Sequence, residues 1–366
     1  MSVFVGSRVA ILLVVPVVFA SLATLIPNRP AQQSDPFNAF LQWDGGWYAG
    51  IISAGYSWAG PSMQSNVAFF PLYPLLGKIA SVALLGNVSL ALILVSNLAF
   101  LFLLYFLYKL AKRDFDQGTA TRSVIYLAIF PLSFYFSAAY TESLMLALAI
   151  ASFYYAREGR WKLAIVLGTL TTLTRLTGIA ILLPLAWEWY KQKGLTARSL
   201  YLLLVPAGLG AFMLYLWSLT GDPLAFNTAI QKAWNRQIIW PWGQLAVAWR
   251  LVTTLPATRY IAAIARFDFV NMLGFLALTL GAVRSMPAAY WLYSLPVYFV
   301  ATSSSLDPAA GLPTASVARY LMAIFPAFIL MGVLGKNRYI HYLLLFSFAL
   351  LLGPLMLPFS AGIWVE

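Results

Sequence analysis

Long apolar stretches separated by short polar or basic turns run through most of the chain. A bilayer crossing takes ~20 apolar residues. On that spacing, spans are predicted at about 8–27, 88–110, 120–137, 143–157, 200–219, 262–283, 287–302, 318–334 and 339–358. Residues 162–190 are too long for one crossing, yet they begin and end at basic clusters. They must therefore leave and return as two short limbs, turning near Thr174-Arg175-Leu176-Thr177-Gly178. Residues 67–110 hold two apolar stretches where topology allows one crossing. The first, 67–85, is broken by Pro71, Pro74, Gly77 and Lys78, so it is read as a helix lying in the outer interface. The expectation is an all-α polytopic membrane protein with about 11 transmembrane helices.

Positive charge orients these spans, because Lys and Arg gather on the cytoplasmic side. The inner clusters are Lys109, Lys112, Arg113 and Arg122; Arg157, Arg160 and Lys162; Lys191, Lys193 and Arg198; and Lys336 with Arg338. Arg8 marks the cytoplasmic start of the first span, and the C-terminus falls outside. The long loops, about 28–87 and 220–258, then lie on the outer face, while the inner turns are short. Without an internal repeat or linker, residues 1–366 read as one transmembrane domain. Rigid scaffolds present function on loops, which points to a site at the outer membrane surface.

Composition agrees. Of 366 residues, 61% are hydrophobic and 9% charged, with mean hydropathy +0.81, against roughly 25% charged in soluble domains. The absence of cysteine excludes disulfides, thiolate metal sites and cysteine nucleophiles. A single histidine, His341, argues against a histidine zinc site or a Ser-His-Asp triad. No carboxylate cluster suggests a metal, and no cofactor is called for. The net charge of +12 reads as membrane topology and not as nucleic-acid binding. Of the 23 basic residues, however, nine fall outside or in the outer half, which an anionic lipid ligand there would explain.

The first outer loop reads Trp43-Asp44-Gly45-Gly46-Trp47-Tyr48. Asp44 is either an N-cap for an interfacial helix with Trp47, Ile51 and Ile52 on its membrane face, or a catalytic carboxylate. In the second reading the glycines leave room for a substrate hydroxyl, and aromatic neighbours exclude water from the acid, as a general base requires. Local physics leaves both open. Glu142 sits at a helix start favoured by the helix dipole, and Arg175 lies within an apolar region, where ionisable groups mark sites or pathways. The two are natural partners, either in a functional site or as a structural ion pair. Arg266, Asp268 and Arg319 break the positive-inside pattern; the arginines are either snorkelling anchors or a phosphate clamp at headgroup depth.

Trp43 to Tyr48, then Gly55-Tyr56, then Ala68-Phe69-Phe70-Pro71-Leu72-Tyr73-Pro74-Leu75, resemble the opening of the PIG-V-like (GPI mannosyltransferase 2-like) family. Tyr140-Thr141-Glu142-Ser143-Leu144 and Thr174 to Gly178 are similar to its second block, and order and spacing agree over roughly 40–190. The resemblance implies a GT-C glycosyltransferase fold with interfacial helices in the first outer loop. It also implies mannose transfer from a polyprenyl-phosphate carrier to a lipid or glycan acceptor on the outer face. The family's general base falls on Asp44. Arg319, Arg266 and Arg175, in that order, are candidates for the donor phosphate in an inverting transfer. Glu142, Trp43, Trp47, Tyr48 and Asp268 complete the candidate site. A short cysteine-free chain suits the plasma membrane of a prokaryote, and a monomer is expected among membrane lipids. Two alternatives remain: the same chemistry with another sugar or a protein acceptor, and a lipid flippase or transporter without chemistry. The second class commonly shows inverted repeats and midplane broken helices; the chain has no repeat, and its polar residues gather at one face.

Overall fold

The computed structural model describes residues 2–25, 36–256, 258–306, 314, 316–363 and 365. Sixteen α-helices follow one another among them: α1 (Ser2–Leu25), α2 (Asp44–Ala54), α3 (Leu72–Ala83), α4 (Val88–Asp114), α5 (Gln117–Ile129), α6 (Glu142–Arg157), α7 (Trp161–Thr172), α8 (Leu182–Lys193), α9 (Leu204–Thr220), α10 (Ala225–Lys232), α11 (Pro241–Thr254), α12 (Tyr260–Ser285), α13 (Ala288–Thr302), α14 (Val317–Leu321), α15 (Phe325–Leu334) and α16 (Arg338–Ser360). Four stretches, Val88–Asp114, Ala197–Thr220, Tyr260–Ser285 and Arg338–Ser360, are long and apolar enough to cross a membrane. The protein is an integral membrane protein of the all-α class. One short ribbon departs from that class: β1 (Arg236–Ile238) pairs antiparallel with β2 (Ser304–Leu306), placing Arg236 opposite Leu306.

The centre of the bundle is α6 and α15, buried along nearly their whole length, with α4, α5, α7, α12 and α13 around them. Lipid tails are as apolar as leucine, so these helices gain by close packing rather than by leaving water. Glycine permits the approach. A Cβ on Gly332 of α15 would lie 2.7 Å from the Thr119 carbonyl oxygen of α5, and one on Gly77 of α3 would lie 2.7 Å from Leu92 Cδ2 of α4.

Prolines set several helix ends that apolar periodicity misses. The stretch predicted to span 120–137 stops as an α-helix at Ile129, because Pro131 follows and pushes Phe130 to φ −51°, ψ 142°. A 3-10 turn, Ser133–Phe136, continues the chain. The stretch predicted at 318–334 likewise divides into α14 and α15, with Pro326 in the first turn of α15. Its short first piece carries Arg319. The two limbs of 162–190 are α7 and α8, of 12 residues each; at about 1.5 Å per residue, each is near 18 Å long, as short as expected. The helix α3, also of 12 residues, cannot cross a ~30 Å hydrocarbon layer, in agreement with its exclusion from the spans. It exposes Leu75, Ile79 and Val82, a stripe suited to an interface.

Arg8 does not mark a cytoplasmic boundary. Its side chain is 2% exposed and sits 4.5 Å over the ring of Phe100, midway along α4. It donates to the Ala128 carbonyl at 2.9 Å, the Ser133 carbonyl at 2.8 Å and Ser137 Oγ at 3.1 Å. These carbonyls belong to the place where α5 breaks off, and a buried carbonyl without a partner is costly. The arginine's cost of burial and the break's unpaired groups offset each other.

At one end of the bundle, Arg157 of α6 pairs with Asp114 at 2.9 Å and Glu188 at 2.9 Å, and Arg113 pairs with Glu158 at 2.6 Å. This gathers the basic turns after α4, α6 and α8 on one side, as charge predicted. Glu142, the first residue of the 16-residue helix α6, lies at the opposite end.

Candidate active site

Two helix starts lie side by side at that opposite end. Before α2, the Phe40 carbonyl accepts from the Ala139 amide at 2.9 Å, and the Gln42 carbonyl accepts from Tyr140 Oη at 3.0 Å. The loop leading to Asp44 is thereby tied to the segment leading to Glu142. Gly45 makes the approach possible, since a Cβ there would stand 3.2 Å from Ala139 Cβ. Gly45 thus serves packing, whereas a Cβ on Gly46 would meet nothing closer than the Leu41 carbonyl oxygen at 3.8 Å. Trp43, immediately before Asp44, holds φ 56° and ψ −112°. Such conformations cost of order 1–3 kcal/mol and cluster at functional sites.

Neither acid is a helix cap. Asp44 and Glu142 are the first residues of α2 and α6, and neither helix shows a side-chain cap bond. Both point instead to Arg319. Its Nη1 lies 3.1 Å from Asp44 Oδ2, and its Nε lies 3.6 Å from Glu142 Oε1. Glu142 Oε1 also pairs with Arg175 Nη1. Arg319 is 2% exposed, ringed by Tyr135, Tyr140 and Tyr320 with its guanidinium 5.3, 5.1 and 5.1 Å from their centroids. The side chain of Glu142 is 5% exposed and that of Asp44 29%. Only Asp44, of the two acids, is open to a ligand.

A cavity of about 880 Å³ lies in front of Asp44. Trp43, Trp47, Tyr48, Phe69 and Trp234 line one side, and Thr174, Arg175, Arg236 and Tyr320 another. Trp47 stacks on Phe69 at 5.8 Å and meets Trp234 edge-on at 5.6 Å. The face of α2 expected to meet lipid is therefore internal: Tyr48, Ile51 and Ile52 are buried against Tyr73, Leu92 and Ala139. Burial raises the Tyr48 phenol well above its usual range, with Arg175 opposing that shift. The ribbon of β1 and β2 closes the cavity with Arg236, Ile238 and Ser304, and α10 contributes Asn227 and Gln231, four residues apart.

Arg175 is held at a break in the chain. It lies extended, at φ −161°, between α7 and the 3-10 turn Leu176–Ile181. The turn doubles back so closely that a Cβ on Gly178 would lie 2.8 Å from the Thr171 carbonyl carbon. The carbonyl of Leu173, freed by the break, accepts from the Leu72 amide at 3.1 Å, which anchors the start of α3. The guanidiniums of Arg175 and Arg236 lie 5.0 and 5.4 Å from the centroid of the Tyr320 ring. Arg175 is paired with Glu142, whereas Arg236 has no carboxylate partner among the described residues. Among the described residues three arginines face two carboxylates here, an excess of one positive charge at the cavity wall.

The fold has a solved counterpart. ArnT from Cupriavidus metallidurans, solved bound to undecaprenyl phosphate, is similar over 91% of this chain and 60% of its own, with TM-score 0.53 and 16% identity. The fold is that of the GT-C glycosyltransferases. This chain spans about 60% of ArnT's length. The archaeal oligosaccharyltransferase AglB from Archaeoglobus fulgidus, in complex with an inhibitory peptide and a dolichol-phosphate, aligns more loosely, over 98% of this chain and 56% of its own (TM-score 0.40, 13% identity). No family model and no curated protein matches the chain.

Within this GT-C fold, Asp44, Glu142, Arg175 and Arg319 meet, and Trp43, Trp47 and Tyr48 line the same cavity. Arg266 and Asp268 do not join them. Both sit on α12, Asp268 fully buried, and neither lines the cavity. Arg319 does not line it either, being closed behind the two acids. Sequence reasoning gave no role to Tyr320, Tyr135 or Tyr140. The one signal that covers Arg236 is the excess of basic residues in the outer half, where the loop 220–258 lies.

Proposed function

We propose that the chain is a membrane glycosyltransferase that takes a sugar from a polyprenyl-phosphate carrier and passes it to an acceptor hydroxyl. The observation that carries this reading is Asp44: a carboxylate opening on a large cavity, fixed from behind by a buried arginine, with Arg175 and Arg236 in the same cavity. The GT-C fold, and the undecaprenyl phosphate bound by ArnT, support the carrier. The PIG-V-like motifs around Asp44 and Glu142 support mannose as the sugar, a lipid or glycan as acceptor, and an extracytoplasmic site in a prokaryotic plasma membrane. The working unit is a monomer.

In this mechanism Asp44 takes the proton of the acceptor hydroxyl as its oxygen attacks the anomeric carbon. The bond from that carbon to the phosphate oxygen breaks, and the carrier phosphate leaves with the electron pair, inverting the centre. Charge builds on the phosphate oxygens, where preorganised donors act most strongly. Arg175 and Arg236 are placed to receive it, and the single surplus positive charge of the cluster matches a phosphodiester. Arg319 positions Asp44. Asn227 and Gln231 offer amides to sugar hydroxyls, and Trp47 and Trp234 an apolar wall.

The test is transfer of radiolabelled mannose from polyprenyl-phosphate-mannose in proteoliposomes. General-base catalysis contributes roughly 10²- to 10⁴-fold, so Asp44→Asn should lose at least the lower figure while still purifying as a folded protein. Near-normal transfer by that variant would overturn the mechanism. Lipid movement across the bilayer without transfer would favour a flippase.

A further inference from the structure

The end of the molecule opposite Asp44 carries a second cavity, of about 590 Å³, between the start of α5 and the turn joining α15 to α16. Glycine sets its floor. A Cβ on Gly335 would run into Tyr126 Oη and stand 3.1 Å from Arg122 Cδ, so α15 ends directly against α5. Tyr126 Oη is hydrogen-bonded to His341 Nδ1 at 2.7 Å, which ties α16 to the same floor. The walls carry Arg122, Lys336, Arg338, His341 and Tyr342.

The charges in this cleft are only partly satisfied. Arg122 spends Nε on the Gly332 carbonyl at 2.7 Å and Nη2 on Thr119 Oγ1 at 3.4 Å; its Nη1 makes no hydrogen bond among the described residues. Lys336 pairs with Asp116 at 3.1 Å, and both are exposed. Among the described residues Arg338 meets only the side chain of its neighbour Tyr339. Among the described residues three cations thus face one carboxylate around a concave site. Running away from it along α16, Tyr342, Phe346 and Leu350 stand 65%, 70% and 58% exposed, four residues apart on one face. A basic cleft opening onto a lipid-facing apolar stripe has the form of a headgroup above its acyl chains.

The geometry points to a binding site for one anionic phospholipid of the inner leaflet. Its headgroup phosphate lies among Arg122, Lys336 and Arg338, and its chains lie along the exposed face of α16. A soluble phosphate would use the same cations but would gain nothing from Tyr342, Phe346 and Leu350.

Native mass spectrometry of the full-length protein, released from detergent containing equimolar phosphatidylglycerol and phosphatidylcholine, reads this directly. Wild-type protein should retain one phosphatidylglycerol in preference to phosphatidylcholine. The exposed double variant Lys336→Gln/Arg338→Gln should weaken that retention about 30-fold, the worth of two basic residues at an anionic surface. The equally exposed pair Lys191→Gln/Lys193→Gln at the same end should leave it unchanged. Equal retention of the two lipids, or equal loss in both double variants, would overturn the proposal. So would competition by glycerophosphoglycerol as effective as by the intact lipid, which would assign the cleft to a soluble phosphate ester.

Discussion

Replacing Arg319 with lysine separates a residue that positions the base from one that binds the donor. Lysine keeps the positive charge, so the buried acids are not left unneutralised, a loss that in buried pairs costs about 3–5 kcal/mol. It cannot keep the geometry. Nη1 and Nε of Arg319 reach Asp44 and Glu142 at 3.1 and 3.6 Å from one rigid plane, and a single ammonium cannot hold both acids in those directions. Hydrogen bonds to charged groups are worth about 1.5–3 kcal/mol. At ~1.4 kcal/mol per tenfold change in rate, releasing Asp44 should lower kcat roughly 10- to 150-fold. Because Arg319 is closed off from the cavity, KM for the donor should stay within about twofold, the pattern of an interaction that matters only in the transition state. Arg236→Gln should differ by raising KM for the donor as well as lowering kcat, since it loses a charged contact to a phosphate that gains charge in the transition state. Initial-rate kinetics in proteoliposomes, with donor varied, measure both. A raised KM with unchanged kcat in Arg319→Lys would mean that Arg319 grips the donor itself, and the division of roles would be refuted.

Three further outcomes follow from the fold. Gly178→Ala pushes a Cβ into the Thr171 carbonyl, so the turn carrying Arg175 must shift; transfer should fall by at least about tenfold, the scale of a misplaced positioning group, and unchanged kinetics would show that the turn tolerates the shift. Arg8→Met strips donors from the Ala128 and Ser133 carbonyls and should destabilise by roughly 2–5 kcal/mol, read as a lower Tm in detergent; an unchanged Tm would mean that Arg8 is not what closes the end of α5. The buried Tyr48 phenol binds its proton more tightly folded than unfolded. Its contribution to stability is complete below the ordinary phenol value of about 10 and is lost as pH rises above it. Tyr48→Phe should therefore unfold less steeply than the wild type on alkaline titration, and coincident curves would show that Tyr48 ionises freely.

Much was legible along the chain because the bilayer is a severe solvent. It asks for long apolar runs, forces ionisable groups to declare a purpose, and sorts basic residues by side. That is why the short limbs α7 and α8, the exclusion of α3 from the spans and the gathering of Asp44, Glu142 and Arg175 at one end were readable in advance. Apolarity is blind to where a helix stops inside the membrane. Pro131 and Pro326 cut two expected spans, and the freed groups at the first cut drew in Arg8, which charge alone had placed at the inner boundary. For α2 local physics leaves two readings open for a related reason: Trp47, Ile51 and Ile52 suit a lipid surface and a protein interior equally well, and packing against Tyr73, Leu92 and Ala139 decides between them.

The sequence by itself determined the solvent, the class of fold, which basic turns share a side and the few acids worth suspecting. Those follow from local composition and from the cost of charge in hydrocarbon, both additive along the chain. Only the tertiary structure decided the roles. Asp44 and Arg319 stand 275 residues apart, and nothing local says that they touch, that Arg319 is sealed behind two acids, or that Arg236 comes from a β ribbon to face the cavity. Which cation supports the base and which is free for a phosphate depends on burial and pairing, and those exist only once distant segments have packed.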